Sequence, residues 1–217
     1  MACEIIIDRY HTDYGFGVRR GVFAALLGNG IFAQEGPALN HSRELLRKQF
    51  IRAQYQNHDH FREHVDNLIA RLPINGVIDL QPLFFNFTLD TTTAFLLGRS
   101  VYSLRANIDQ DSENRLFADS FNIAQEGLAK RFHLAPWHFL YSPPEFWRAC
   151  SNVHCFVKRY IQERNLQHET KESYGFINQV AEESVGDKDL RDQLLNVLLA
   201  GRDTTACCLS WTLHVLT

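Results

Sequence analysis

The chain has 217 residues with 22 Lys and Arg against 25 Asp and Glu, a formal net charge of −3, and so lacks the basic excess of a dedicated nucleic-acid binder. Hydrophobic residues at 45% and charged residues at 22% are too apolar for disorder and suffice for one generous domain or two small ones. No apolar run approaches the ~18 residues of a membrane span, and Glu4, Asp8 and Arg9 around Ile5–Ile7 do not follow the order of a signal peptide. The chain therefore reads as soluble, or as one without its anchor. Its five cysteines (Cys3, Cys150, Cys155, Cys207, Cys208) include no Cys-x-x-Cys pair, which fits a reducing compartment better than a disulfide framework.

Helical punctuation dominates in chain order. Gly36-Pro37 predicts a helix start, with Leu39, Leu45, Leu46 and Phe50 as apolar positions. Phe61, Val65, Leu68 and Leu72 form a stripe at spacings of four, three and four, which Pro73 ends. Asn75-Gly76 reads as a turn, and Asp79 caps a helix through Phe84, Phe87 and Phe95 to Gly98. Phe117, Phe121, Ala124 and Leu128 mark a further helix, and Pro143-Pro144 leads into another with Phe146, Cys150, Val153, Val157 and Tyr160 on one side. Strand signals are confined to Ile5–Ile7 and Ile31–Ala33. From Leu190 to Thr217 the sequence is apolar around most of a helix circumference, which predicts a buried central helix with Cys207 and Cys208 as small core residues. That helix ends without Gly, Pro or a cationic last turn, so the polypeptide is expected to continue in the parent fold. The expected class is mainly α.

Within the last helix, Ala200-Gly-Arg-Asp-Thr-Thr205 violates local preference. Gly in a helix interior costs about 1 kcal/mol relative to Ala, β-branched residues add a little, and a carboxylate among leucines needs a partner. Such a violation marks a functional site, where Gly201 admits a flat ligand and threonine hydroxyls bond into a groove, or it marks a helix end at Gly201 with Asp203 capping the next. Both readings stay open on the residues alone. Two other constellations are weaker. His58, His60 and His64 lie close together around Glu63, but not in His-Glu-x-x-His order, and a solvated face is favoured over a metal site. Gly28-Asn-Gly30-Ile-Phe-Ala33 fits a loose dinucleotide string, but Gly36-Pro37 interrupts the helix that should receive the pyrophosphate, so it reads as a turn.

The string Leu190 to Ala206, with Ala200-Gly-Arg-Asp-Thr-Thr205 inside it, resembles the distal-helix motif of the cytochrome P-450 monooxygenases, and is similar to the fungal microsomal branch that hydroxylates alkanes and fatty acids. Leu26-Leu-Gly-Asn-Gly-Ile-Phe32, His41-Ser-Arg-Glu-Leu-Leu-Arg47, Asp79-Leu-Gln-Pro-Leu-Phe-Phe85, Pro144-Glu-Phe146 and Val153-His154 agree in order. The resemblance implies an incomplete cytochrome P-450 fold over residues 1–217, from the propionate-binding helix into the distal oxygen-activating helix. It implies a haem (iron protoporphyrin IX) cofactor and Asp203 and Thr204 as the acid–alcohol pair that delivers protons for O–O cleavage. Ala200 and Gly201 would line the haem face. Arg43 resembles the end of a Trp-x-x-x-Arg motif whose cation meets a haem propionate, with Leu39 at the Trp position.

The family's Phe-x-x-Gly-x-Arg-x-Cys-x-Gly loop, source of the axial thiolate, does not occur in this sequence. Glu44-Leu-Leu-Arg47 spells the family's Glu-x-x-Arg by accident, on a different helix. Phe117 and Phe121 resemble part of an access wall for a small apolar substrate, with plain core packing as the equal alternative. The implied activity is insertion of one oxygen atom from O2 into an aliphatic C–H bond, with electrons from NADPH-cytochrome P-450 reductase. The parent enzyme is expected on the cytosolic face of the endoplasmic reticulum membrane, and this unanchored chain in the cytosol. Alone it is expected to be inactive; the competing expectation is a non-catalytic helical piece acting at most as an interaction module.

Overall fold

The computed structural model of the chain describes residues 15–53, 59–105, 113–166 and 175–216. Over these residues it forms eight α-helices: α1 (Arg19–Leu27), α2 (Gly36–Ala53), α3 (Asp59–Ile69), α4 (Leu80–Leu97), α5 (Glu113–His133), α6 (Pro144–Leu166), α7 (Gly175–Glu183) and α8 (Asp187–Leu216). The mainly α expectation holds, and no strand occurs among the described residues. Ile5–Ile7 and His58 lie outside them. Ile31–Ala33 corrects a strand expectation: it is a single 3-10 turn closed by the Ala33 N–H on the Gly30 carbonyl at 2.8 Å.

The long helices start and stop where local chemistry says they should. Asp79 Oδ1 accepts the Gln81 N–H at 3.0 Å to cap α4, and Gly98 ends it at φ 71°. Thr88 and Thr93 are buried inside α4 because each hydroxyl donates to the carbonyl four residues back, at 2.8 Å in both cases. On α5 the stripe Phe117, Phe121, Ala124 and Leu128 is buried against the α6 stripe Phe146, Cys150, Val153, Val157 and Tyr160. The Phe117 ring stacks on Phe156 with centroids 4.1 Å apart.

α8 packs along α4 in the most extensive helix contact of the structure, with α6 and α7 on its other sides. Every residue from Leu190 to Leu198 is buried, as the apolar circumference predicts. The second half differs: Cys207 and Cys208 are exposed, and Trp211 and Leu216 are 68% and 75% exposed. Beyond Ala206 no described residue of α8 is buried, which corrects the expectation of a helix buried to its end. The α3 stripe is only partly covered. Val65 and Leu68 are half-buried, Phe61 packs edge-on against Phe87 while still 52% exposed, and Leu72 lies beyond the helix end. His64 is buried against the Tyr102 ring, a packed group and not a member of a solvated face.

His154 on α6 is tied to the end of α1 through Nε2, 2.8 Å from the Leu26 carbonyl. Burial pushes its pKa down, only partly opposed by that bond. A depressed histidine supports the fold above the pH at which the unfolded ring titrates, and this support is lost as pH falls through the folded midpoint. Urea midpoints should therefore drop more between neutral pH and about pH 5 in the wild-type chain than in His154→Gln. Equal drops in the two proteins would show that this ring is not a source of acid sensitivity.

Candidate functional site

The site is organised by a polar row on α8. Three consecutive stretches of loop backbone meet it: the Asn29 N–H donates to Asp192 Oδ2 at 2.9 Å, Ile31 N–H to Gln193 Oε1 at 3.3 Å, and Phe32 N–H to Asn196 Oδ1 at 2.9 Å. Asn196 Nδ2 donates in return to the Leu27 carbonyl at 2.9 Å. These three side chains do for the loop what a sheet edge would do, pairing amides that would otherwise be buried alone. The Gly28-x-Gly30 string is thus a turn docked on a helix. The amides of Asn29, Ile31 and Phe32 are engaged by α8 side chains and those of Gly28 and Ala33 by backbone carbonyls, an arrangement unlike a pyrophosphate nest. Both glycines are required by the close approach: a Cβ on Gly28 would sit 2.2 Å from the Asp192 carboxyl, and one on Gly30 would sit 2.1 Å from Asn196 Nδ2.

With the loop pinned, a groove of about 730 Å³ opens between α2 and α8. Ile31 and Phe32 come from the loop, Arg43, Leu46 and Arg47 from α2, and Val197 and Ala200 from α8. The two arginines are exposed and one helical turn apart. Glu44 also faces the groove, where Lys48 pairs with it at 3.5 Å. Apolar walls beneath a pair of cations suit a flat, apolar ligand with an anionic edge.

The residues singled out in the sequence are distributed as follows. Arg43 and Ala200 line the groove, while Leu39 is half-buried and outside its lining. Gly201 faces the other way: a Cβ there would meet Thr92 Oγ1 at 3.0 Å, so its missing side chain admits α4. The helix runs unbroken through Gly201 and Asp203, which closes the alternative of a helix end at that point. Asp203 is half-buried and bonded to Arg202 Nη1 at 3.1 Å. Burial raises its pKa and the guanidinium pulls it back. Thr204 is exposed and its hydroxyl donates to the Ala200 carbonyl at 2.7 Å. Phe117 and Phe121 are 1% and 0% exposed in the core, away from the groove.

Several residues of the site have no legible signal in the sequence, the polar row of Asp192, Gln193 and Asn196 among them. Arg47 sits in a chance motif, yet it shares the groove with Arg43. Asn196 and Arg202 gave no signal beyond being polar in an apolar helix, and they are 0% and 4% exposed.

The structure thus brings two exposed arginines and an unbroken Ala-Gly-Arg-Asp-Thr helix onto one helical assembly. The cytochrome P-450 family model matches residues 5–217, and the chain belongs to the cytochrome P-450 family. It is 44% identical to a cytochrome P-450 of Arthroderma benhamiae over 87% of this chain and 39% of that protein. It is 39% identical to cytochrome P-450 52A13 of Debaryomyces hansenii, covering 98% of this chain and 44% of the relative. With cytochrome P-450 52A1 of Candida tropicalis the identity is 37%, covering 96% and 41%. The chain thus spans about two-fifths of the length of these relatives. Among solved structures, the cytochrome P-450DA haem domain superposes with a TM-score of 0.76 at 19% identity, covering 98% of this chain and 48% of that one. That likeness shows a shared fold.

Proposed function

We propose that the chain forms the oxygen-side part of a haem-dependent monooxygenase that inserts one oxygen atom from O2 into an aliphatic C–H bond of an alkane- or fatty-acid-like molecule. The observation that carries this reading is the groove, with Arg43 and Arg47 on one wall and Ala200 of the Gly-x-Asp-Thr segment on the other. Its donor set fits a porphyrin: cations for two propionates, and Ile31, Phe32, Val197 and Ala200 for the ring. When bound, haem supplies the oxygen activation that no amino-acid side chain can perform.

The protein's own residues then have separate tasks. Arg43 and Arg47 hold the acidic edge, and the apolar walls exclude water. Asp203 takes up a proton at its carboxylate and passes it on, and Thr204 moves one through the hydroxyl that bonds the Ala200 carbonyl. The family's thiolate loop pattern does not occur in the sequence, so this chain alone is expected to bind haem at most weakly, through its edge, and to show no turnover. Electrons for the whole enzyme come from an NADPH-dependent cytochrome P-450 reductase at the cytosolic face of the endoplasmic reticulum. No helix among the described residues is long and apolar enough to cross a membrane.

Haem titration tests the reading. Arg43→Ala should weaken binding about tenfold, the loss of one charge-assisted hydrogen bond, and haem dimethyl ester should bind wild type and variant alike. Equal haem affinity in wild type, Arg43→Ala and Arg47→Ala would remove the groove as the porphyrin site. The exposed Trp211, Val215 and Leu216 on α8 would then favour the second reading, a helical module that docks on another protein.

A further inference from the structure

Arg202 stands out as a charged side chain left over by the reading of the site. It is 4% exposed, yet it stands one residue from the segment that carries Asp203 and Thr204. Nη1 donates to Gln125 Oε1 and to Asp203 Oδ1, the latter at 3.1 Å, and Nη2 donates to Asn122 Oδ1. Phe85 of α4 and Phe121 of α5 flank the guanidinium, with ring centroids 4.9 and 5.4 Å from Cζ. Burying an arginine this far costs several kcal/mol of desolvation unless its hydrogen bonds and a counter-charge offset it. The guanidinium fork joins α8 to α5 through two neutral amide oxygens and, unlike a glutamine in that place, also sets a positive charge against a carboxylate, that of Asp203.

We propose that Arg202 is a positioning residue for the site: it fastens α8 to α5 through Asn122 and Gln125, and through its bond to Asp203 Oδ1 it orients that carboxyl and offsets the cost of its negative charge. This rests on the reading of Asp203 as the proton-carrying acid. The surroundings of the pair support the assignment. Around the guanidinium, α5 presents the neutral amides Asn122 and Gln125 and α4 presents Phe85, and Arg202 is the charged neighbour that opposes the effect of burial on Asp203. Phe121 thereby gains a role as well, since its ring forms part of the arginine's seat and not a substrate wall.

The experiment is a pH titration of the Asp203 side-chain carboxyl by ¹³C NMR in the full chain without haem, so it reads the proposal independently of porphyrin binding or turnover. Arg202→Met should raise the midpoint by at least about one pH unit, a tenfold weaker acid, and Arg202→Lys should restore most of that shift. A midpoint within about 0.3 units of wild type in Arg202→Met would make Arg202 a structural bolt only and overturn the proposal. If Arg202→Met does not fold, the double variant Asn122→Ala/Gln125→Ala decides, because it keeps the charge and removes the seat. A rise of about half a unit or more supports the clasp, and an unmoved midpoint overturns it. If Asp203 responds as expected while haem binding proves independent of Arg43 and Arg47, the clasp stands and the haem reading falls.

Discussion

Gly30→Ala is expected to destabilise the chain by about 2–4 kcal/mol, combining an overpacked contact with a displaced buried amide. The new methyl would lie 2.1 Å from Asn196 Nδ2 and 2.7 Å from the Asp192 carbonyl oxygen. Neither neighbour has room to give way. The carbonyl belongs to the backbone of α8, and the Asn196 amide is held at both ends, accepting from Phe32 N–H at 2.9 Å and donating to the Leu27 carbonyl at 2.9 Å. Relief therefore requires the loop to lift from the helix, which strips the pairing from Phe32 and moves Ile31 and Phe32 off the groove. Chemical denaturation gives the first readout and haem affinity the second; both should fall together. A Gly30→Ala chain with wild-type stability would mean that the loop is not clamped as described.

Phe117→Ala should cost about 3–5 kcal/mol, the usual loss for a fully buried phenylalanine. The ring is 1% exposed, stacks on Phe156 at 4.1 Å and lies 5.9 Å from Phe121. This variant also separates the two expectations held for Phe117. A core residue lowers the denaturation midpoint and leaves the groove's haem affinity nearly unchanged in the folded population. A residue of an access wall would do the reverse: truncation would leave stability within about 1 kcal/mol, the range expected of a side chain facing a cavity, and alter the binding of long-chain aliphatic acids. The burial at the α5–α6 contact points to the first result.

Much of the helical framework was legible because its signals are local. Asp79 and Gly98 bracket α4 through bonds and backbone angles within a few residues, and the paired aromatic stripes of α5 and α6 announce faces that must be buried together. Of the site, Arg43 and Ala200 were found through family resemblance, and the structure places both on one groove. The same resemblance gave Gly201 a role facing the ligand, whereas its open side receives Thr92 of α4. A missing side chain says that something comes close, and cannot say what.

The starts of α2, α4 and α6, the Asp79 cap and Gly98 stop of α4, and the odd chemistry of Gly201, Asp203 and Thr204 were written in the chain, because each depends on neighbours a few residues away; α1 and α7 were not. Which way the helices turn was not either. The burial of His64, the exposure of Cys207 and Cys208, the joining of Arg47 to Arg43 and the seating of Arg202 among Phe85, Phe121, Asn122 and Gln125 all depend on partners from distant segments. A charge or a polar group inside an apolar run has the same local pattern whether solvated or buried, and only the groups packed around it settle its free energy.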